Sequence, residues 1–323
     1  MDDLLEVRNL KVEYHTDNAV VHAVNDLTLT IKKGQTLGIV GETGAGKTTI
    51  AKSIMRVLPE MQARVKSGEI ILQGEDLMKL SEKNMRKIRG NKIAMIFQDP
   101  MTALNPIERV GSQIAETIKQ HNKKLSRLEI KDRAVAMLET VGIPGDRLNE
   151  YPHQFSGGMK QRVVIALALA CNPELLLADE PTTALDVTIQ AQVLDVMRDL
   201  KSKFSTSFIL ITHDLGIVAD FCDSVAVVYA GEVVETGSLE DIYRKPAHPY
   251  TVGLFASLPT LDSTEKRLKP IMGLMPDPTE IPRGCRFYER CPEKTDKCAN
   301  APPKSHEISP GHFVMCFQRM GEV

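Results

Sequence analysis

The chain has 323 residues, 42% hydrophobic and 25% charged, with a formal net charge of −2. That is globular composition with length enough for a buried core, in one large domain or two smaller ones. The near-neutral balance excludes a global electrostatic drive toward nucleic acid or an anionic membrane. The acidic start Met1-Asp2-Asp3-Leu4-Leu5 lacks the positive charge of a secretory leader. The longest notable apolar run, residues 163–171, falls well short of the roughly 20 residues a membrane span needs. A cytosolic chain is expected, with any membrane link running through partners.

Residues 4–12 and 27–31 alternate apolar and polar, as half-exposed antiparallel strands do. Leu37-Gly38-Ile39-Val40 is a short buried strand entering a Gly-rich turn, and residues 47–56 then read as a helix. Residues 93–97, 175–178 and 208–211 are further apolar runs of strand length. Interleaved with helical patterns, they predict a parallel sheet covered on both faces. Between Gly111 and Gly158 the period is mostly helical, and Ser126 with Glu129 forms a capping box for a helix reaching Val141. An inserted helical subdomain over about 100–170 is expected. Residues 225–229 and 232–235 flank Ala230-Gly231, a hairpin turn. After residue 245 come eleven of the 18 prolines and four of the six cysteines. The chain therefore reads as a main domain over 1–245 and an irregular Cys/Pro-rich module over 246–323, held by something other than a hydrophobic core.

Gly41-Glu42-Thr43-Gly44-Ala45-Gly46-Lys47-Thr48 follows a strand and opens a helix. This is the context in which a P-loop wraps backbone N–H groups around phosphate oxygens. Lys47 is expected on the β- and γ-phosphates of ATP and the Thr48 hydroxyl on magnesium, with Thr49 beside it in the nucleotide-binding set. Leu175-Leu176-Leu177-Ala178-Asp179-Glu180 carries two carboxylates to a strand end, where open α/β sheets bind ligands. Asp179 would hold magnesium, and Glu180 would orient the attacking water. His213, just past the run 208–211, would bond the γ-phosphate and hold Glu180. Gln98, after the run 93–97, offers a neutral amide to magnesium or the lytic water. Phe155-Ser156-Gly157-Gly158-Met159-Lys160-Gln161 opens another phosphate-seeking helix N-terminus, with Ser156 as its N-cap. One γ-phosphate needs one such cradle, so this one is expected to serve ATP held by a second subunit.

These elements, with Ala184-Leu185-Asp186, stand in an order that resembles the ATP-binding cassette family over about residues 4–241. The resemblance implies an α/β fold: a RecA-like P-loop core with an antiparallel β subdomain and an inserted helical subdomain. It also implies a head-to-tail dimer holding two ATP molecules between P-loop and signature. Asp186 then joins the nucleotide site, and Tyr14 matches the aromatic that stacks on adenine. Phe155, Met159, the run from Phe97 to Pro106, and His248-Pro249-Tyr250-Thr251 are similar to those of dipeptide and oligopeptide importers. Nickel importers share much of this pattern. The implied partners are two membrane permeases, a substrate-binding protein and a second, homologous ATPase, with a homodimer or monomer as the isolated state. The implied location is the cytoplasmic face of the membrane. A soluble, non-transport ABC ATPase acting on DNA or ribosomes is the rival class. A single cassette without a heptad run or net basic charge argues against it, and no nucleic-acid partner is expected.

Cys171 and Cys222 sit in apolar helical patterns and read as buried thiols, whereas His306 and His312 read as solvated. Cys285, Cys291, Cys298 and Cys316 are separated by five, six and 17 residues. Four thiolates suit either zinc or an iron–sulfur cluster. Structural zinc favours closer pairs than these, and a larger cluster lets its ligands stand farther apart. The resemblance implies a four-iron, four-sulfur (4Fe-4S) cluster at these positions.

Overall fold

The structure, a computed structural model, describes residues 3–183, 185–257 and 270–320. Ala184 and residues 258–269, which include Pro259, lie outside the described residues. In chain order come β1 (Asp3–His15), β2 (Val20–Lys32), β3 (Thr36–Val40), α1 (Lys47–Met55), β4 (Ala63–Leu72) and the short β5 (Glu75–Asp76). Then follow α2 (Glu82–Ile88), β6 (Ile93–Ile96), α3 (Pro100–Ala103), α4 (Val110–His121), α5 (Arg127–Thr140), α6 (Gly157–Leu169), β7 (Leu175–Asp179), α7 (Val187–Phe204) and β8 (Ser207–Ile211). The remainder holds α8 (Leu215–Phe221), β9 (Ser224–Tyr229), β10 (Glu232–Ser238), α9 (Leu239–Arg244), α10 (Pro249–Ala256), α11 (Asp296–Asn300), β11 (His306–Ser309) and β12 (His312–Val314).

The chain divides into two compact units. The first comprises Ile31–Thr36 and Asp76–Ile211, with the first residues of β1. The second comprises Leu5–Thr30, Leu37–Glu75 and Thr212–Val323.

The first unit is built on the parallel strands β6, β7 and β8, in that order. Every residue of these three strands is buried, which is why their sequences run apolar without alternating. Helices α4 and α5 are the expected helical stretch. The capping box that starts α5 is present: the Ser126 N–H donates to Glu129 Oε2 at 2.7 Å, and the Glu129 N–H donates to Ser126 Oγ at 3.3 Å.

The second unit holds two sheets. In the first, β1 pairs antiparallel with β4, as the alternation predicts. A register shift around Asn9, whose φ is 48°, keeps Leu5, Val7, Leu10 and Val12 buried on the strand. In the second, β3 runs parallel to β9, β9 pairs antiparallel with β10 across the expected hairpin, and β12 and β11 extend this side of the sheet.

Several sequence expectations need correction. Helix α1 stops at Met55, because Arg56 turns left-handed at φ 52° and caps it. Cys171 is half-buried in the turn after α6, and its Sγ lies 3.7 Å from Thr117 O. Cys222 is buried at the end of α8, outside the helix body. His312, expected in solvent, is 2% exposed, with Nε2 2.8 Å from Glu235 Oε1. Its strand, β12, pairs with β10 and carries the ring into the sheet. The Pro-rich stretch also contains regular structure: Pro249 opens α10, where a missing N–H costs nothing.

Candidate nucleotide-binding and hydrolysis residues

Strand β3 delivers the chain into the loop 41–46, and α1 opens at Lys47. Two glycines are dictated by space. A Cβ on Gly41 (φ 151°) would lie 2.1 Å from Val228 O, and one on Gly46 (φ 100°) would lie 2.3 Å from Ala23 O. Any side chain there would push the loop off the second unit's core. Lys47 is only 7% exposed, and its Nζ donates to Gly41 O at 2.7 Å and Glu42 O at 2.9 Å. The ammonium is thus folded back over the loop that precedes it. Thr48 and Thr49 begin the helix with it, and Tyr14, near the end of β1, places its hydroxyl 3.2 Å from Thr49 Oγ1. These residues, with Thr43, Gly44 and Ala45, belong to the second unit, as does His213. His213 is exposed in the turn between β8 and α8, where Asp214 caps α8 through the Gly216 and Ile217 N–H groups.

The first unit carries the carboxylates. Asp179 ends β7 and is 1% exposed. Glu180 follows with a left-handed φ of 47°, and its N–H donates to Ile211 O at 2.8 Å. A non-glycine residue held there stores about 1–3 kcal/mol of strain, and such strain concentrates at functional positions. The Glu180 carboxylate is aimed by two neighbours: Gln98 Nε2 donates to Oε2 at 2.9 Å, and Thr183 Oγ1 donates to the same oxygen at 3.1 Å. Gln98 was expected at this strand edge. Thr183, which the sequence does not single out, is brought to Glu180 by the turn in which its N–H donates to Glu180 O at 3.1 Å.

Ser156 caps α6 by accepting from the Met159 N–H. Phe155 is buried beneath the Arg147 guanidinium, which stands 4.5 Å from its ring centroid. Gly158 is required by packing, because a Cβ there would meet Ile189 Cγ2 at 2.4 Å. Gly157 precedes it as the first residue of α6. Asp186 caps α7 by accepting from the Ile189 N–H at 2.9 Å. This cap fixes Asp186 through one carboxylate oxygen.

In the second unit, Cys285, Cys291, Cys298 and Cys316 line one small recess, together with His248, Phe287 and Phe317. Burial pushes the Cys285 thiol up to about 11, only partly offset by the Phe287 N–H, and the other three cysteines raise it further. Burial also raises Cys291 and Cys316. Burial, with Arg319 beside it, holds His248 down to about 3. That imidazole is neutral, consistent with Nδ1 accepting from the Tyr250 N–H. Among the described residues no group of three or more His, Cys, Asp or Glu side chains is placed to hold a metal ion. The thiols therefore share a recess without forming a ready single-ion site.

Comparison with known proteins converges on one family. The ABC transporter family model matches residues 24–183, and the model for the C-terminal region of oligopeptide/dipeptide transporters matches residues 234–298. The oligopeptide transport ATP-binding protein OppD of Bacillus subtilis (strain 168) is 51% identical over 314 residues, covering 96% of this chain and 87% of its own length. The dipeptide transport ATP-binding protein DppD of the same strain is 49% identical, covering 98% and 95%. OppD of Escherichia coli (strain K12) is 45% identical, covering 100% and 95%. Among solved structures, the dimeric, post-hydrolysis ATP-binding cassette MJ0796 bound to ADP and Pi superposes with a TM-score of 0.65 at 27% identity. It covers 73% of this chain and 98% of its own. The chain therefore belongs to the ABC transporter family and has the cassette fold of an ATP-hydrolysing subunit. Within that family it is the ATPase subunit of an importer of dipeptides and oligopeptides. Among the described residues no helix is long and apolar enough to cross a membrane.

Proposed function

We propose that the chain hydrolyses ATP at composite sites shared with a second ATPase subunit, and that closure of the pair drives two membrane permeases from the cytoplasmic face. The P-loop amides and Lys47 bind the phosphates, Tyr14 stacks on the base, and Asp186, Ser156, Gly157 and Gly158 meet the nucleotide held by the partner. Magnesium, when bound, neutralises charge developing on the β- and γ-phosphate oxygens. The hard-oxygen donors suited to it are the Thr48 hydroxyl, the Asp179 carboxylate and the Gln98 amide. Glu180 takes the proton of the attacking water, with His213 on the γ-phosphate. The helical stretch 100–170 and the Gln98 loop grip the permease, and a substrate-binding protein delivers the peptide.

The observation that carries this reading is the Glu180 carboxylate, set on a strained residue at the end of a fully buried strand and fixed by Gln98 and Thr183. The test is reconstitution. ATPase activity should be low for the isolated chain and rise when the second ATPase and the permeases are added. Uptake of labelled dipeptide and longer peptide should follow, and nickel uptake without peptide uptake would overturn the peptide assignment.

Residues 246–323 form, in this reading, a module stapled by a 4Fe-4S cluster on Cys285, Cys291, Cys298 and Cys316. What supports a cluster is that all four cysteines line one recess. Their spacings along the chain are wider than the close pairs that structural zinc favours, whereas a four-iron core spreads its ligands. When bound, the cluster cross-links four chain positions and keeps the thiols deprotonated. Anaerobic purification with assay of iron, acid-labile sulfide and zinc tests this; one equivalent of zinc without sulfide would sink it.

A further inference from the structure

Glu42, the second residue of the P-loop, is held at three points within the second unit. Its carbonyl receives the Lys47 ammonium at 2.9 Å. Its N–H donates to the Tyr250 hydroxyl at 2.9 Å. Its carboxylate takes both arms of the Arg290 fork, Nη1 to Oε2 and Nη2 to Oε1, each at 3.0 Å. Arg290 is deeply set, with a side chain 6% exposed. Its remaining donors go to Tyr229 Oη at 3.3 Å, Ile271 O at 3.3 Å and Met272 O at 3.1 Å. Tyr229, Tyr250 and Phe287 pack edge to face or tilted, with centroids 4.6–5.5 Å apart, and so brace both contacts. Met275 lies against the same loop, close enough that a Cβ on Gly44 would meet its methyl at 3.3 Å.

We infer that Arg290 and Tyr250 are positioning residues for the P-loop: acting through Glu42, they fix the peptide on which Lys47 is seated. The C-terminal segment is thereby a clamp on nucleotide binding. A bidentate guanidinium–carboxylate pair is geometrically strict, and here the guanidinium is buried while the carboxylate is partly exposed, so the pair sets the direction of the Glu42 side chain and, through it, of the backbone. The Tyr250 hydroxyl accepts from the Glu42 N–H, which belongs to the same peptide unit as the Gly41 carbonyl that receives Lys47. Arg290 immediately precedes Cys291 and Arg286 immediately follows Cys285. Arg286 pairs with Glu232 at 2.9 Å, so the stretch between the two cysteines is anchored at both ends. The order of the cysteine segment and the shape of the P-loop are thus mechanically joined.

This rests on the ATP-binding role of the P-loop, and the test separates the two. Equilibrium binding of a fluorescent ATP analogue with magnesium is measured on the full chain, with melting temperature as the control for folding. Arg290→Met should weaken binding about 10-fold and Arg290→Lys by less, because charge without the fork restores only part of the constraint. Glu42→Gln should weaken it comparably. The Arg290→Met/Glu42→Gln double variant should be no weaker than the worse single variant. In the assembled transporter, the loss should fall on KM for ATP, with kcat within about twofold. Tyr250→Phe, which removes only the hydroxyl, should weaken binding about threefold and decides the matter if Arg290→Met fails to fold. Unchanged affinity in folded Arg290→Met and Tyr250→Phe, or additive effects in the double variant, overturns the clamp. A Lys47→Ala chain that still binds the analogue overturns the P-loop reading instead.

Discussion

Strands β6 to β8 and residues 270–320 are held in opposite ways. The strands bury every residue they contain, and the apolar run is the structure's own explanation. In residues 270–320 the buried apolar side chains are few, chiefly Phe287, Val314 and the cysteines Cys298 and Cys316. Ionic and polar anchors do the holding there: Arg286 to Glu232, Arg290 to Glu42, His312 to Glu235 and Arg319 to the Ala247 carbonyl. Apolar burial is non-directional and tolerates local change, whereas each of these anchors depends on particular partners held in one geometry. Catalytic carboxylates placed on the first kind of framework should be separable from stability. Anchors of the second kind should fail locally and take a segment with them.

The largest expected effect tests the first half of that contrast. Glu180→Gln in the assembled transporter should cut ATP turnover by about 10²–10⁴, the contribution of a positioned general base. Nucleotide affinity and melting temperature should barely move, because β7 owes its place to the residues before Glu180. Wild-type turnover in this variant would remove Glu180 from the chemistry. The framework itself is probed by Leu177→Ala at the centre of β7. Loss of a fully buried leucine should cost about 2–5 kcal/mol and lower the cooperative melting transition of the first unit. If turnover fell while stability held, the separation drawn here would be wrong.

Glu235 tests the other kind of anchorage. It is 1% exposed and accepts from the Ala247 N–H at 2.7 Å, the His248 N–H at 2.8 Å and His312 Nε2 at 2.8 Å. Glu235→Gln replaces one accepting oxygen with a donor facing donors, at a cost of about 1–3 kcal/mol. The expected outcome is rapid proteolysis after residue 245, with hydrogen exchange in β6 to β8 unchanged. Uniform loss of protection across both regions would show that they melt as one.

The same contrast governs what could be read from the sequence. The P-loop, the Asp179-Glu180 pair and the Ser156-Gly157-Gly158 cap were legible because each needs its residues consecutively, at a strand end or a helix start. The parallel strands were legible because burial on both faces leaves an unbroken apolar run. Partners distant in sequence were not. Arg290 lies 248 positions from Glu42, and His312 lies 77 from Glu235. Nothing in an isolated Arg or His names its partner, so His312 reads as solvated in the sequence, and it is the pairing of β12 with β10 that buries it. Thr183 was missed for a different reason: a Thr after a Pro in a turn is common, and its aim at Glu180 exists only once φ of Glu180 is left-handed.

Tyr14 gives the smallest and most discriminating effect. The ring is expected on adenine, yet the hydroxyl has its own contact, 3.2 Å from Thr49 Oγ1. The two roles separate by substitution. Tyr14→Phe keeps the stacking face and loses one half-buried hydroxyl contact, so affinity for the ATP analogue should change by less than about threefold. Tyr14→Ala removes the face as well and should weaken binding by about tenfold, the scale of aromatic stacking on a base. If Phe were as damaging as Ala, the hydroxyl's grip on Thr49 at the start of α1 would be the working contact. Tyr14 would then join Tyr250 and Arg290 among the residues that hold the P-loop rather than the base.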